Sequence, residues 1–243
     1  MRVCGMGSVA DSSAQVTFDH VPRIREFFDR QYAAHERYWW RAENRYSIDL
    51  AVHTTYHAKL LALAAQRGPG RALDIGAGEG ADAIRLAKLG YHVDAVELST
   101  VACEKIERFA RAQGVQVNVR NEPLETMDLT GARFDLVIMN GCLHYVRDKT
   151  HLLRRVLAAS AADAVHAVAV FSTATPVPAE HTVIPVFPDD EGGVVERFYQ
   201  DWDVLLLNHE RKRSEHSHPG FAPHVHSHIK LIAALPLGTT ERQ

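Results

Sequence analysis

The sequence predicts a doubly wound α/β domain: a seven-stranded, mostly parallel sheet that ends in an antiparallel hairpin and is preceded by an N-terminal helical lid. Three observations carry that expectation. After Gly70, short apolar runs alternate with segments of helical period, which implies right-handed crossovers and a sheet covered on both faces. The first apolar run enters a glycine-rich turn, Gly76-Ala-Gly-Glu-Gly80. The last two runs face each other across Pro219-Gly220, as an antiparallel pair at the end of the sheet does.

Taken in order, residues 1–17 are small and polar without periodicity and are expected to form a flexible leader. Residues 18–68 form the expected lid. Ile24 to Trp40 places aromatics at 27, 28, 32, 38 and 39, a roughly helical spacing, and Ser47 to Gln66 carries apolar residues at 48, 52, 56, 60 and 63. Gly68-Pro-Gly70 stops that second helix. The core spans 69–243. Strands are expected at Arg71–Ile75, Tyr91–Glu97, Val115–Val119, Phe134–Asn140 and Val165–Ser172, with helices at Gly80–Leu89, from the capping Ser99 to Gln113, and at Asp148–Ala162. Residues 173–200 hold four prolines and an Asp189-Asp-Glu-Gly-Gly193 run. A connection of that length is expected to be a lid or substrate-binding insertion. Residues 202–213 and 224–234 are the closing strands.

Composition narrows the function. The 243 residues carry 27 Lys plus Arg against 30 Asp plus Glu, a net charge of -3. That balance lacks the basic excess of a nucleic-acid binder. No run of about 18 apolar residues suggests a membrane span. The three cysteines, at 4, 103 and 142, show no C-x-x-C spacing, so a soluble cytoplasmic protein is expected. The 15 His are conspicuous, several of them within the last thirty residues. The sequence does not fix the oligomeric state.

The chemistry concentrates at Ala72-Leu-Asp74-Ile-Gly76-Ala77-Gly78-Glu-Gly80. Glycines at a strand-to-helix turn let the backbone approach a ligand, and the helix start offers unpaired N–H groups. Glu97 lies 21 positions after Gly76, at the end of the next strand, where a carboxylate accepts hydrogen bonds from ribose hydroxyls. The third glycine comes one position too early for the dinucleotide fingerprint. Asp74, two residues before the first glycine, repels a pyrophosphate and suits a cationic ligand.

With Leu73-Asp-Ile-Gly-Ala-Gly-Glu-Gly80, the ribose acid and the Phe134-Asp-Leu-Val137 strand in this order, the chain resembles the class I S-adenosylmethionine-dependent methyltransferases, whose sheet is Rossmann-like. The resemblance is closest to the broad small-molecule group that includes tellurite-resistance methyltransferases. It covers about 71–172 well and the terminal strands more weakly. It implies S-adenosylmethionine as cofactor, with Asp74, Gly76, Ala77, Gly78 and Gly80 around the methionine moiety, Glu97 on the ribose and Leu98 against adenine. Asn121 or Glu122, with Pro123, would stand where the family places an adenine-contacting acid. Asn140 would meet the cofactor's amino group.

On the substrate side, Asn140-Gly-Cys-Leu143 departs from the Asn-Pro-Pro-Tyr of the family's adenine- and glutamine-directed enzymes. A small-molecule acceptor on N or O, in biosynthesis, is the expectation. His144 and Tyr145 are the candidate catalytic pair, His144 as general base. Tyr32 is expected near the cofactor, and Trp39 and Trp40 near the substrate. His224, His226 and His228 alternate, so they share one strand face. Such a face suits a divalent metal or a polar substrate pocket; because methyl transfer needs no metal, no metal is expected and the three are read as substrate-lining. The rival readings are a nucleotide-cofactor oxidoreductase and a non-catalytic homologue acting as a scaffold.

Overall fold

A computed structural model describes residues 18–38, 55–178, 183–215 and 223–236. The leader, Trp39, Trp40 and the start of the second expected helix lie outside the described residues. Parallel strands β1 (Arg71–Ile75), β2 (His92–Glu97), β3 (Asn118–Asn121), β4 (Phe134–Asn140) and β5 (Ser160–Phe171) alternate with helices α3 (Ala81–Lys88), α4 (Thr100–Ala112) and α5 (Lys149–Ala158). The strands β6 (Asp203–Glu215) and β7 (His224–Ala234) close the sheet, with β7 antiparallel to both β5 and β6. The seven-stranded order is β3-β2-β1-β4-β5-β7-β6. The expected doubly wound sheet with its terminal hairpin is therefore what forms.

Hydrophobic pattern explains the layers. Leu136 and Ile138 of β4, Ala167 of β5 and Ile232 of β7 pack under Leu60 and Ala64 of helix α2 (Thr55–Arg67) and Leu86 of α3. On the other face, Val137 and Met139 pack with Val168, Leu231 and the apolar side of α5. Ser99 and Asp148 cap α4 and α5 by accepting from Ala102 N and His151 N. Chain order reverses between the parallel neighbours β1 and β4: the connections from β1 lead to one edge of the sheet and those from β4 to the other. In open α/β sheets the crevice at the carboxyl ends of such a strand pair is where ligands bind. Here it is bounded by Gly76 after β1 and Asn140 at the end of β4.

Several elements differ from expectation, the largest differences each for a physical reason. Helix α1 (Val21–Ala34) stops six residues early, because His35 is extended and Tyr38 N is drawn to Glu79 instead of continuing the helical ladder. Gly114, at φ +68°, ends α4 with Val115 N bonded to Ala110 O; Val115 and Val117 then pack beside Phe109, and β3 begins only at Asn118. The chain after α5 leaves the helix at Ala158 because Ser160 already pairs with Phe134, across an irregularity marked by Asp163 at φ +61°. The proline-rich insertion contains a short helix, α6 (Val194–Phe198). Its Asp189 accepts from Val194 N and Val195 N, a cap that the sequence pattern did not signal.

Part of the histidine excess is structural. His166 of β5 is fully buried, with Ser160 Oγ and Tyr199 hydroxyl each 2.8 Å from a ring nitrogen. Burial holds its pKa down at about 3, so it is a neutral polar cross-link between β5 and the segment after α6.

Candidate active site

The glycine turn is forced by contact. Gly76 has φ +66°, and a Cβ there would lie 2.4 Å from the Cys142 Cβ, on the chain just past β4. Gly80 has φ +80° and a Cβ there would lie 2.9 Å from Ile106. Gly76 N and Ala77 N both donate to Val96 O, at 2.8 and 3.1 Å, which ties the loop to β2.

Around this loop the acids are desolvated. Glu97 Oε2 accepts from Gly78 N and Oε1 from Ser99 N, each at 2.8 Å. Burial pushes its pKa up to about 7 against those hydrogen bonds. Asp74 Oδ2 accepts from Ala83 N at 3.0 Å. Burial, and then the neighbouring Asp82, raise its pKa well above the usual carboxylate range. Arg85 pairs with Asp82 at 3.2 Å. A carboxylate oxygen has two lone pairs, so both Glu97 oxygens retain acceptor capacity for hydroxyl donors. A ligand bearing a cationic sulfonium and ammonium beside a ribose would relieve this acid cluster, so the donor set fits S-adenosylmethionine.

Leu98 packs with Ile24, Phe27, Phe28, Tyr145 and Ile184, under α1. Tyr32 is buried, stacked on Phe28 with ring centroids 5.8 Å apart. Asn121 Nδ2 donates to Glu97 O and Leu98 O at 2.9 Å, so this side chain braces the turn that carries both residues. Glu122 is clamped by Arg120 through two hydrogen bonds and accepts from Asp128 N; the Arg120 guanidinium holds its carboxyl below the usual range. Pro123 follows, half-buried.

Asn140 brings together residues that the sequence left apart. Its Nδ2 donates to Asp82 Oδ2 of α3 and to His57 Nε2 of α2, both at 3.1 Å. Burial keeps the His57 imidazole below its usual pKa and therefore neutral. The sequence reading assigned His57 to no constellation. No spacing signal links it to Asn140, 83 positions away.

His144 lies in a single 3-10 turn, Leu143–Tyr145, after β4 and is buried. Its ring stacks on Phe171 at 3.8 Å and 9°, and Phe171 also stacks on His226 at 4.3 Å and 15°. Three near-parallel rings thus join the ends of β4, β5 and β7. His228 meets Phe171 edge-on at 5.1 Å, and His224 lies 4.5 Å from His226. Burial, then Lys230, holds the His228 pKa down to about 4. Phe171 is the organising residue that sequence reasoning missed, hidden within an apolar strand. Among the described residues, no group of three or more His, Cys, Asp or Glu side chains is arranged to hold a metal ion. Among the same residues, no helix is long and apolar enough to cross a membrane.

Residues 72–163 match the family described as a methyltransferase domain. The match takes in the glycine loop, Glu97 and β4. No curated protein matches the chain in sequence. Its fold is that of many solved structures. The magnesium protoporphyrin IX methyltransferase of Synechocystis PCC 6803, solved with bound SAM, is 17% identical over 90% of this chain and 99% of its own, with a TM-score of 0.62. The 1,6-didemethyltoxoflavin-N1-methyltransferase of Burkholderia thailandensis, solved with its substrate and S-adenosylhomocysteine, is 21% identical over 90% of this chain and 89% of its own, at a TM-score of 0.62. TehB of Haemophilus influenzae is 14% identical over 76% of this chain at a TM-score of 0.62, and this chain covers 64% of it.

The close approach at the domain's first glycine gives a direct test. Gly76→Ala combines a left-handed backbone with overlap against Cys142, and is expected to cost about 2–4 kcal/mol of stability. Urea unfolding measures the loss. Stability equal to that of the unaltered protein would show that the loop does not press on Cys142.

Proposed function

We propose that the protein transfers a methyl group from S-adenosylmethionine to the nitrogen or oxygen of a small molecule, in biosynthesis and in the cytoplasm. The observation that carries this reading is the pair of desolvated acids, Asp74 and Glu97, flanking a backbone-exposed glycine loop at the reversal point of the sheet. The substrates named for the structural neighbours are small molecules, and the net charge of -3 gives no footprint for nucleic acid.

In this reading Glu97 accepts from the ribose hydroxyls. Asp74 and the backbone of Gly76, Ala77, Gly78 and Gly80 surround the methionine moiety, and Asn140 meets its amino end. Leu98 and Pro123 flank adenine. Asn121 or Glu122 contacts the adenine amino group. Tyr32 closes the cofactor side with α1. The bound cofactor supplies an electrophilic methyl on a sulfonium. The chain's part is to align the acceptor and exclude water. His144 receives the acceptor's proton, and the Tyr145 phenol, its pKa raised by burial, stays protonated as a donor. Phe171 with His224, His226 and His228 forms the acceptor wall; Trp39 and Trp40, the other expected substrate residues, lie outside the described residues.

Calorimetry tests the cofactor: S-adenosylhomocysteine binds and NAD does not, and the opposite pattern would overturn the assignment. Hydroxyl donors favour ionised Glu97, so binding lowers its pKa from about 7. Affinity for S-adenosylhomocysteine should therefore rise with pH while free Glu97 is protonated, by at most about ten-fold per pH unit, and level off above neutrality. Glu97→Gln should weaken binding and flatten that slope. With an acceptor found by the mass gain of one methyl group, His144→Ala should slow turnover about 10²–10⁴-fold while leaving S-adenosylhomocysteine affinity intact. Unchanged turnover would remove His144 from the mechanism.

A further inference from the structure

We propose that Glu79, the acid inside the glycine loop, is a positioning residue that fastens the segment following α1 to the cofactor loop, so that cofactor binding and docking of α1 form one coupled equilibrium. The proposal rests on the cofactor reading above.

Glu79 has no part in the ligand contacts assigned to its neighbours Gly78 and Gly80, yet its side chain is fully buried. Both carboxylate oxygens accept from Tyr38 N, at 2.9 and 3.0 Å, and Oε1 also accepts from Lys105 Nζ at 2.9 Å. Lys105, on α4 and 7% exposed, donates again to His35 O and stands 5.6 Å from the Tyr32 ring centroid. One carboxylate thus joins the glycine loop, α4 and residues 35–38. A buried ion pair adds little net stability over an apolar replacement, but removing one partner leaves a charge stranded. Its effect is to fix where the chain must lie.

The adjoining contacts show what is fixed. Asp29 of α1 accepts from Ser99 Oγ at 2.6 Å, and Arg25 Nε donates to Leu98 O at 3.1 Å. Phe28 meets the Tyr145 ring edge-on at 5.4 Å and shares an apolar cluster with Leu98. Helix α1 therefore covers the turn from which the adenosine would hang. The route to the ligand is one peptide long: Gly78 N, next to Glu79, donates to Glu97. A ligand that holds Glu97 and the loop in place also holds Glu79 under Tyr38. By reciprocity, docking of α1 must then strengthen ligand binding.

The test compares the unaltered protein with Glu79→Gln and with the double variant Glu79→Gln/Lys105→Met, which strands no charge. Stopped-flow displacement of S-adenosylhomocysteine should be at least about ten-fold faster in both, the scale of losing charge-assisted hydrogen bonds. In hydrogen exchange, S-adenosylhomocysteine should slow the α1 and Tyr38 amides of the unaltered protein but not those of the double variant. Arg108→Ala breaks the exposed pair between α4 and Glu36 and should leave dissociation unchanged. Equal dissociation rates in the double variant and the unaltered protein, or equal acceleration in Arg108→Ala, would overturn the proposal with the cofactor reading intact. If the variants do not fold, exchange in the unaltered protein decides, and amides that do not slow on binding overturn it. Absence of any S-adenosylhomocysteine binding to the unaltered protein would instead remove the cofactor reading, and the proposal with it.

Discussion

The α-carbon of Gly76 lies so close to the Cys142 side chain that a Cβ there would sit 2.4 Å from the Cys142 Cβ. That contact between the ends of β1 and β4 brings the loop backbone against the strand whose last residue is Asn140. Val96 O anchors the same loop from β2 through two N–H donors. With the loop pinned on both sides, Gly78 N can reach Glu97, and the α3 start can place Ala83 N on Asp74. Had the turn needed room for side chains, these carboxylates would have lain further from the crevice and in water.

Electrostatics follows from that packing. Desolvation raises both Asp74 and Glu97, and the nearby cations are committed elsewhere: Arg85 to Asp82, and Lys105 to Glu79. Acids in this state favour cationic and hydroxyl-bearing ligands over phosphates. The cluster at the ends of β4, β5 and β7 is built differently. Its His228 is held neutral by burial, and the imidazoles of His144 and His226 are ordered by stacking on Phe171.

Much of the core was legible in the sequence because its signals are local. The glycine spacing, the acid at the end of β2 and the alternation of apolar runs each reflect one strand or one turn. What was not legible depends on distant partners. The early end of α1 comes from Glu79, 41 positions beyond Tyr38. The His144, Phe171 and His226 stack draws on three strand ends, and His57 reaches Asn140 across 83 positions. Among the described histidines, His166 forms a buried cross-link, His57 bridges to Asn140, and His144, His226 and His228 gather around Phe171. Helical period also overran at Tyr38, where the local pattern agrees with a helix and only the tertiary hydrogen bond opposes it.

Burial of carboxylates around a backbone-lined turn is one physical cause for both the place and the kind of ligand. A crystal structure of the S-adenosylhomocysteine complex examines it directly. The ribose hydroxyls should lie within hydrogen-bond distance of the Glu97 carboxylate, with the amino acid end between Asp74 and Asn140 and the sulfur toward His144. A ligand seated elsewhere, or one with its ribose turned away from Glu97, would contradict it.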